Sequence, residues 1–177
     1  MARYISLQER ISTTLSAIKI NTNATNAKIV LPILEWTLKK IQLSSLEYER
    51  ITQQRSPRFV KRGCVYYAQL GKNIGSEQNG YRPVLVVQSN QGNVSNNTVL
   101  IIPLTDFLNN NGMPKKIMGT HVVLELSDNP SLKKKSIIKT EHINNISKSR
   151  LMEKVCELCP LIMTEVDSKI LISLGIK

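Results

Sequence analysis

The stretch Arg62-Gly63-Cys64-Val65-Tyr66-Tyr67, continued by Gly75-Ser76-Glu77-Gln78-Asn79-Gly80 and Tyr81-Arg82-Pro83-Val84-Leu85-Val86-Val87, decides how the chain is read. It has the form of a strand, a polar loop bounded by glycine, and a buried strand that opens on Arg-Pro. Proline fixes its own φ and has no N–H to donate, which suits the first position of a strand. It also biases the preceding residue toward extended backbone. Arg82 is therefore expected at a fixed point where loop meets sheet, beside Glu77 and Gln78. A guanidinium held that way suits a phosphate or a developing oxyanion.

Beyond this stretch the β pattern continues. Residues 63–70, 82–88, 98–104, 120–127 and 136–142 form short runs rich in Val, Ile and Leu, separated by Gly, Asn and Pro. Residues 88–97 and 106–116 read as polar loops, and residues 147–158 and 163–171 read as helices. Many short strands followed by helices predict an α+β fold: a small, strongly bent antiparallel sheet, closed or nearly so, with a helix packed on it.

Ahead of the quoted stretch the period changes. Tyr4, Leu7, Ile11, Leu15 and Ile18 recur at three- and four-residue steps, one face of a helix. Residues 21–26 form a polar break. A second helix is expected over 33–51, with Leu34, Leu38, Ile41, Ser45 and Tyr48 in register and Pro32 acceptable in its first turn. The pair suggests an N-terminal helical hairpin whose stripe packs on its own domain, on a second subunit or on a partner. Ser56-Pro57-Arg58 punctuates the chain, giving a helical extension over 1–57 and a second unit over 58–177.

The 177 residues carry a formal charge of +11, are 41% hydrophobic and 21% charged, and contain three cysteines. This balance fits a packed protein rather than a disordered one. A basic surface attracts nucleic acid through counterion release, although charge alone also fits a merely soluble basic protein. No apolar run approaches the roughly 20 residues that cross a membrane, and Arg3, Glu9 and Arg10 argue against a secretory signal. A cytoplasmic protein without membrane contact is expected. Cys156 and Cys159 have C-x-x-C spacing, but no second pair or His cluster completes a zinc site. They read as reduced thiols near a helix end, and neither metal nor cofactor is expected.

The quoted stretch resembles the opening block of the MazF/PemK family of toxin ribonucleases from bacterial toxin–antitoxin pairs. That block has the form R-G-acid-V-Y-x-A-x-L, then G-S/H-E-Q-x-G-x-R-P-x-L/V-V. This chain departs from it clearly at Cys64. The resemblance continues through Thr105, Thr120-His121-Val122, Glu165-Val166-Asp167 and Ile172-Ser173-Leu174-Gly175, whereas residues 1–58 have no counterpart. It implies an SH3-like antiparallel barrel of the CcdB/PemK kind with a C-terminal helix. It also implies metal-independent cleavage of single-stranded RNA, chiefly mRNA, carried by Arg82 and Thr105 with Glu77 in the flanking loop. The ribose 2′-hydroxyl would attack the adjacent phosphorus, leaving a 2′,3′-cyclic phosphate and a 5′-hydroxyl. A homodimer and a cognate antitoxin are further implications.

Ser76, Gln78, Tyr81, His142, Lys115 and Lys116 are the candidate substrate contacts. Lysines would follow the phosphate backbone without selecting sequence, or serve as solvated turn residues. Tyr81, placed in the loop, would stack on an unpaired base. Glu77 could act in catalysis or stiffen its loop, and Thr105 alone could be an ordinary strand end. His142 stands where the family commonly has Gln, and could contact a base, share in proton transfer or be structural. Asn144 replaces a frequent Arg or Lys, and His121 is expected to be structural. Two rivals stay open: a non-enzymatic toxin of this fold that inhibits a protein such as gyrase, and an RNA-binding module with weakened cleavage.

Overall fold

The computed structural model describes residues 9–10, 12–13, 24–127 and 129–176. The first expected helix, over 3–20, falls outside these residues except for four positions that are helical. The second helix, α1 (Ala24–Thr52), begins nine residues earlier than the apolar period indicated, and Pro32 lies inside it rather than in its first turn. The polar break at 21–26 therefore corrects to a helix start at Ala24. An internal proline removes one i→i−4 hydrogen bond, and the good helix formers on either side carry the helix through it.

The sheet has seven antiparallel strands: β1 (Cys64–Gln69), β2 (Tyr81–Val86), β3 (Thr98–Asp106), β4 (His121–Leu124), β5 (Ser136–Lys139), β6 (Asn144–Ser147) and β7 (Leu151–Glu157). Their order is β4-β5-β3-β2-β1-β7, with β6 also paired to β3. β3 is the hinge of the sheet. It pairs with β6 through Thr98–Ile101, with β2 through Ile101, Ile102 and Pro103, and with β5 through Leu104–Asp106.

Two cores flank the strands, because successive side chains of a strand point to opposite faces. Tyr66, Ala68, Val84, Val86, Val99, Ile101 and Ile146 fill one. Val65, Leu85, Ile102, Leu104, Val122, Ile138 and Val166 fill the other. This explains the unbroken apolar run Val84-Leu85-Val86-Val87: both of its faces are covered. The second core is closed by the C-terminal helix α3 (Pro160–Leu174), which starts with Pro160 in its first turn and ends on Gly175 at φ +70. A short helix α2 (Asn90–Ser95), capped by the Ser89 hydroxyl, replaces the polar loop expected over 88–97.

Residues 147–158 form no α-helix. A single 3-10 turn at Lys148–Arg150 leads into β7, which pairs along β1 with two register irregularities. Leu151, Val155 and Leu158 have helical spacing, but the open edge of β1 offers backbone donors and acceptors that need partners, and that tertiary demand outweighs local preference. Cys156 consequently lies on a strand, Cys159 precedes α3, and all three cysteines are free.

Candidate functional site

The hairpin of β1 and β2 is in register from Val65 opposite Leu85 to Gln69 opposite Tyr81. Its loop is closed at the base by Leu70 N–H donating to Gly80 O at 2.8 Å and Gly80 N–H donating to Gly71 O at 2.7 Å. Gly71 and Gly80 both have φ near +80, backbone that glycine adopts without strain. Asn73 braces the interior of the loop, donating from its side-chain amide to Gln78 O at 2.8 Å. The loop therefore has a fixed neck and presents Glu77 and Gln78 at its far side.

Arg82, the second residue of β2, is half-buried. Its Nε donates to Asn79 O at 2.6 Å, and its Nη1 donates to the Gln78 carboxamide oxygen. Thr105, near the end of β3, donates from Oγ1 to that same oxygen at 3.4 Å. The two side chains thus meet at one point, on the β2–β3 side of the sheet, and neither enters a core. Gln78 occupies the point of convergence and also lines a polar depression with Asn73, Glu77, Pro103, Glu141, His142 and Asn144.

The electrostatics around the pair are cationic. Burial lowers the pKa of the Arg82 guanidinium while Asp106 raises it. Lys115 is lowered by burial and by its neighbours Lys139 and Arg82, against the opposing pull of Asp106. The Lys115 ammonium donates to Asp106 O at 2.8 Å. Four cations, Arg82, Lys115, Lys139 and Lys134, the last paired with the Asp106 carboxylate at 2.8 Å, are thus gathered near one carboxylate, a surplus of positive charge where an anion would be received.

The other expected residues divide. Glu77 is exposed, borders the depression and accepts from Ile74 N–H at 3.3 Å, so it shapes its own turn as well as facing the site. Ser76 stands exposed beside it, and Lys116 is exposed on the loop after Lys115. His142 reaches the depression within 4.0 Å of Glu141. His121 is buried: its Nδ1 accepts from Met118 N–H at 3.2 Å, which leaves Nε2 to donate to Glu141 at 2.9 Å. Burial raises the Glu141 pKa, but its own backbone N–H and the His121 and Thr120 side chains hold it below the usual value.

Tyr81 corrects the sequence expectation. It is the first residue of β2, not a loop residue, and alternation turns it away from Arg82. Its ring stacks on Tyr67 with centroids 4.9 Å apart, and its hydroxyl donates to Glu153 at 2.6 Å. Burial and that hydrogen bond push the phenol up to about 12. One face of the ring is occupied by Tyr67, and the half-exposed ring lies on the opposite face of the strand from Arg82.

Asp106, Asn73, Glu141 and Arg150 were not anticipated at the site. Asp106 was adjacent to Thr105 in a segment read as loop, and Arg150 lay in the segment misread as helix. Among the described residues, no group of three or more His, Cys, Asp or Glu side chains is disposed to hold a metal ion. None of the described helices is long and apolar enough to cross a membrane.

Residues 61–174 match the model of the PemK-like, MazF-like toxin of type II toxin–antitoxin systems. The chain is 40% identical over 117 residues to the endoribonuclease MazF of Staphylococcus epidermidis, covering 66% of this chain and 92% of that protein. The match to the endoribonuclease MazF of Staphylococcus saprophyticus has the same identity and coverage. In structure, MazF from Deinococcus radiodurans superposes with a TM-score of 0.55 at 22% identity, over 67% of this chain and 99% of that one. A mycobacterial endoribonuclease solved with its cognate antitoxin gives 0.54 at 24%, over 67% and 97%. The strand-loop-strand stretch and the sheet it builds are therefore those of a known group, and this chain belongs to the PemK-like, MazF-like toxins of type II toxin–antitoxin systems.

Proposed function

We propose that the chain is an endoribonuclease toxin that cleaves single-stranded RNA, chiefly mRNA, by attack of a ribose 2′-hydroxyl on the neighbouring phosphorus. The observation that carries this reading is the convergence of Arg82 Nη1 and Thr105 Oγ1 on one oxygen. In this structure that oxygen belongs to the Gln78 amide. In the complex with RNA it stands for a non-bridging oxygen of the scissile phosphate, and the Gln78 side chain yields the seat. Charge builds on that oxygen as the 2′-oxygen approaches. A guanidinium and a hydroxyl already aimed there stabilise the transition state more than the ground state.

The remaining residues take supporting roles. Lys115 adds positive charge beside Arg82, and Lys116 follows the phosphate backbone. Ser76, Glu77, the displaced Gln78 and His142 border the path of the flanking nucleotides, and Glu77 is placed to act in proton transfer. Products are a 2′,3′-cyclic phosphate and a 5′-hydroxyl, and neither metal nor cofactor takes part. The active unit spans 58–177, works as a homodimer in the cytoplasm, and is silenced by a cognate antitoxin. The net charge of +11 suits both an RNA and an acidic antitoxin segment.

Purified protein incubated with a long single-stranded RNA in EDTA tests the proposal. Discrete fragments from wild type, and only a trace from Arg82→Ala over the same incubation, are expected. Binding without fragments would mark an RNA-binding module, and neither binding nor cleavage would mark a toxin with a protein target.

A further inference from the structure

The helix ahead of the family-matched region touches the neck of the site loop through one side chain. Trp36 of α1 lies on Gly71, so closely that a Cβ built on Gly71 would fall 2.2 Å from an indole carbon. The Arg150 guanidinium sits 5.1 Å from the centre of the same indole. From there Arg150 Nε donates to Gln69 O at 2.7 Å, and Nη2 donates to Leu70 O. Gln69 ends β1, and Leu70 is the residue before Gly71. Arg150 also borders both the crevice under α1 and the polar depression next to Gln78. A continuous set of contacts therefore runs from α1 through Trp36 and Arg150 to the loop neck, and through the loop to Gln78, Arg82 and Thr105.

The rest of α1 is loosely held. Leu43 is 8% exposed, whereas Leu38, Ile41, Leu46 and Tyr48 are all more than half exposed. Near its C-terminal end, Arg50 donates to Asn97 at 2.9 Å. Of these attachments, Trp36 is the one that bears on the loop.

The geometry points to Trp36 as a positioning residue: α1 acts in cis to clamp the neck of the 71–80 loop, and so sets the arrangement of Gln78 against Arg82 and Thr105 that RNA must enter. This rests on the ribonuclease reading above and adds to it a role for a helix that lies outside the family match. A loop with a loosened neck binds RNA at an ordering cost, which bound RNA repays, so the effect belongs in KM rather than kcat.

Trp36 is the only tryptophan of the chain, so its fluorescence reports on the contact directly. In the full-length protein, Trp36→Ala is expected to raise KM for single-stranded RNA about ten-fold with kcat within about two-fold, and Trp36→Phe is expected to recover most of the loss. Titrating wild type with fully 2′-O-methylated RNA, which cannot be cleaved, should change the Trp36 emission over the range in which that RNA inhibits cleavage. An unchanged KM in Trp36→Ala, an emission indifferent to bound RNA, or a fall in kcat that tracks lost melting temperature and is not restored by phenylalanine would each overturn the clamp. Wild type that cleaves no RNA would instead overturn the ribonuclease reading on which the clamp rests.

Discussion

Along β1, Cys64, Val65, Tyr66 and Ala68 are all buried, because odd and even positions enter different cores. Along the described part of α1, only Leu43 is buried. β1 is the more apolar segment, but α1 also carries many apolar residues, and what surrounds each decides how many are buried. The sheet is covered on both faces by its own strands and α3, whereas α1 meets the sheet unit at a few points, among them Trp36 beside Gly71 and Arg150, and Arg50 at Asn97. Stability and chemistry are therefore expected to reside in the sheet. The helix contributes through a few discrete points, where a single substitution alters function without threatening the fold.

The largest effect should come from the site itself. Arg82→Ala is expected to lower RNA cleavage about 10²–10³-fold, the usual consequence of losing one charge-stabilising donor, with the melting transition retained. Cleavage at the wild-type rate would remove the sheet's claim to the chemistry. Next, Ile138→Ala, fully buried in the second core, should cost about 2–5 kcal/mol in urea denaturation. Thr105→Val keeps the shape and removes the hydroxyl donor, so a loss of about ten-fold in rate is expected. Leu38→Ala on the outer face of α1, where the side chain is 64% exposed, should change stability by less than about 0.5 kcal/mol. Equal costs for Ile138→Ala and Leu38→Ala would erase the contrast between the two regions.

The smallest effect is electrostatic. Side-chain hydrogen bonds from Lys61 and then Lys154 hold the Glu157 carboxyl down from 4.5 to about 2. A depressed acid stabilises the folded state above its unfolded pKa and loses that contribution as pH falls through its folded pKa. The melting-temperature difference between wild type and Glu157→Gln should therefore be constant above pH 4.5 and shrink between 4.5 and about 2. The group is surface-exposed, so the difference should be small at any pH. A difference that grew on acidification would contradict the sign.

How much of this was legible in the sequence follows the same division. The two strands flanking the loop and the continuous apolar run of β2 could be read, because local pattern and tertiary environment agree there, whereas the joining of Arg82 with Thr105 came from the family resemblance and not from local pattern. β7 could not, since Leu151, Val155 and Leu158 have helical spacing and only the unpaired edge of β1 draws them into a strand. The stripe of Leu34, Leu38, Ile41, Ser45 and Tyr48 was correct as a shared helix face. It turned out to look mainly outward, because periodicity shows which residues lie together and not what they lie against. Tyr81 was misplaced by one structural step: the strand starts a residue earlier than Pro83 suggested, and alternation then carries the ring to the opposite face from Arg82. Trp36 and Arg150 carried no signal, since their contact joins segments more than a hundred residues apart.

The most direct test is the chemistry of the ends. RNA cleaved by wild-type protein in EDTA should give downstream fragments that polynucleotide kinase labels without prior phosphatase treatment, and upstream fragments that end in a 2′,3′-cyclic phosphate. That pair of ends is what attack by the 2′-hydroxyl at the Arg82 and Thr105 site produces. Downstream fragments bearing a 5′-phosphate, or cleavage that stops when EDTA is added, would contradict it.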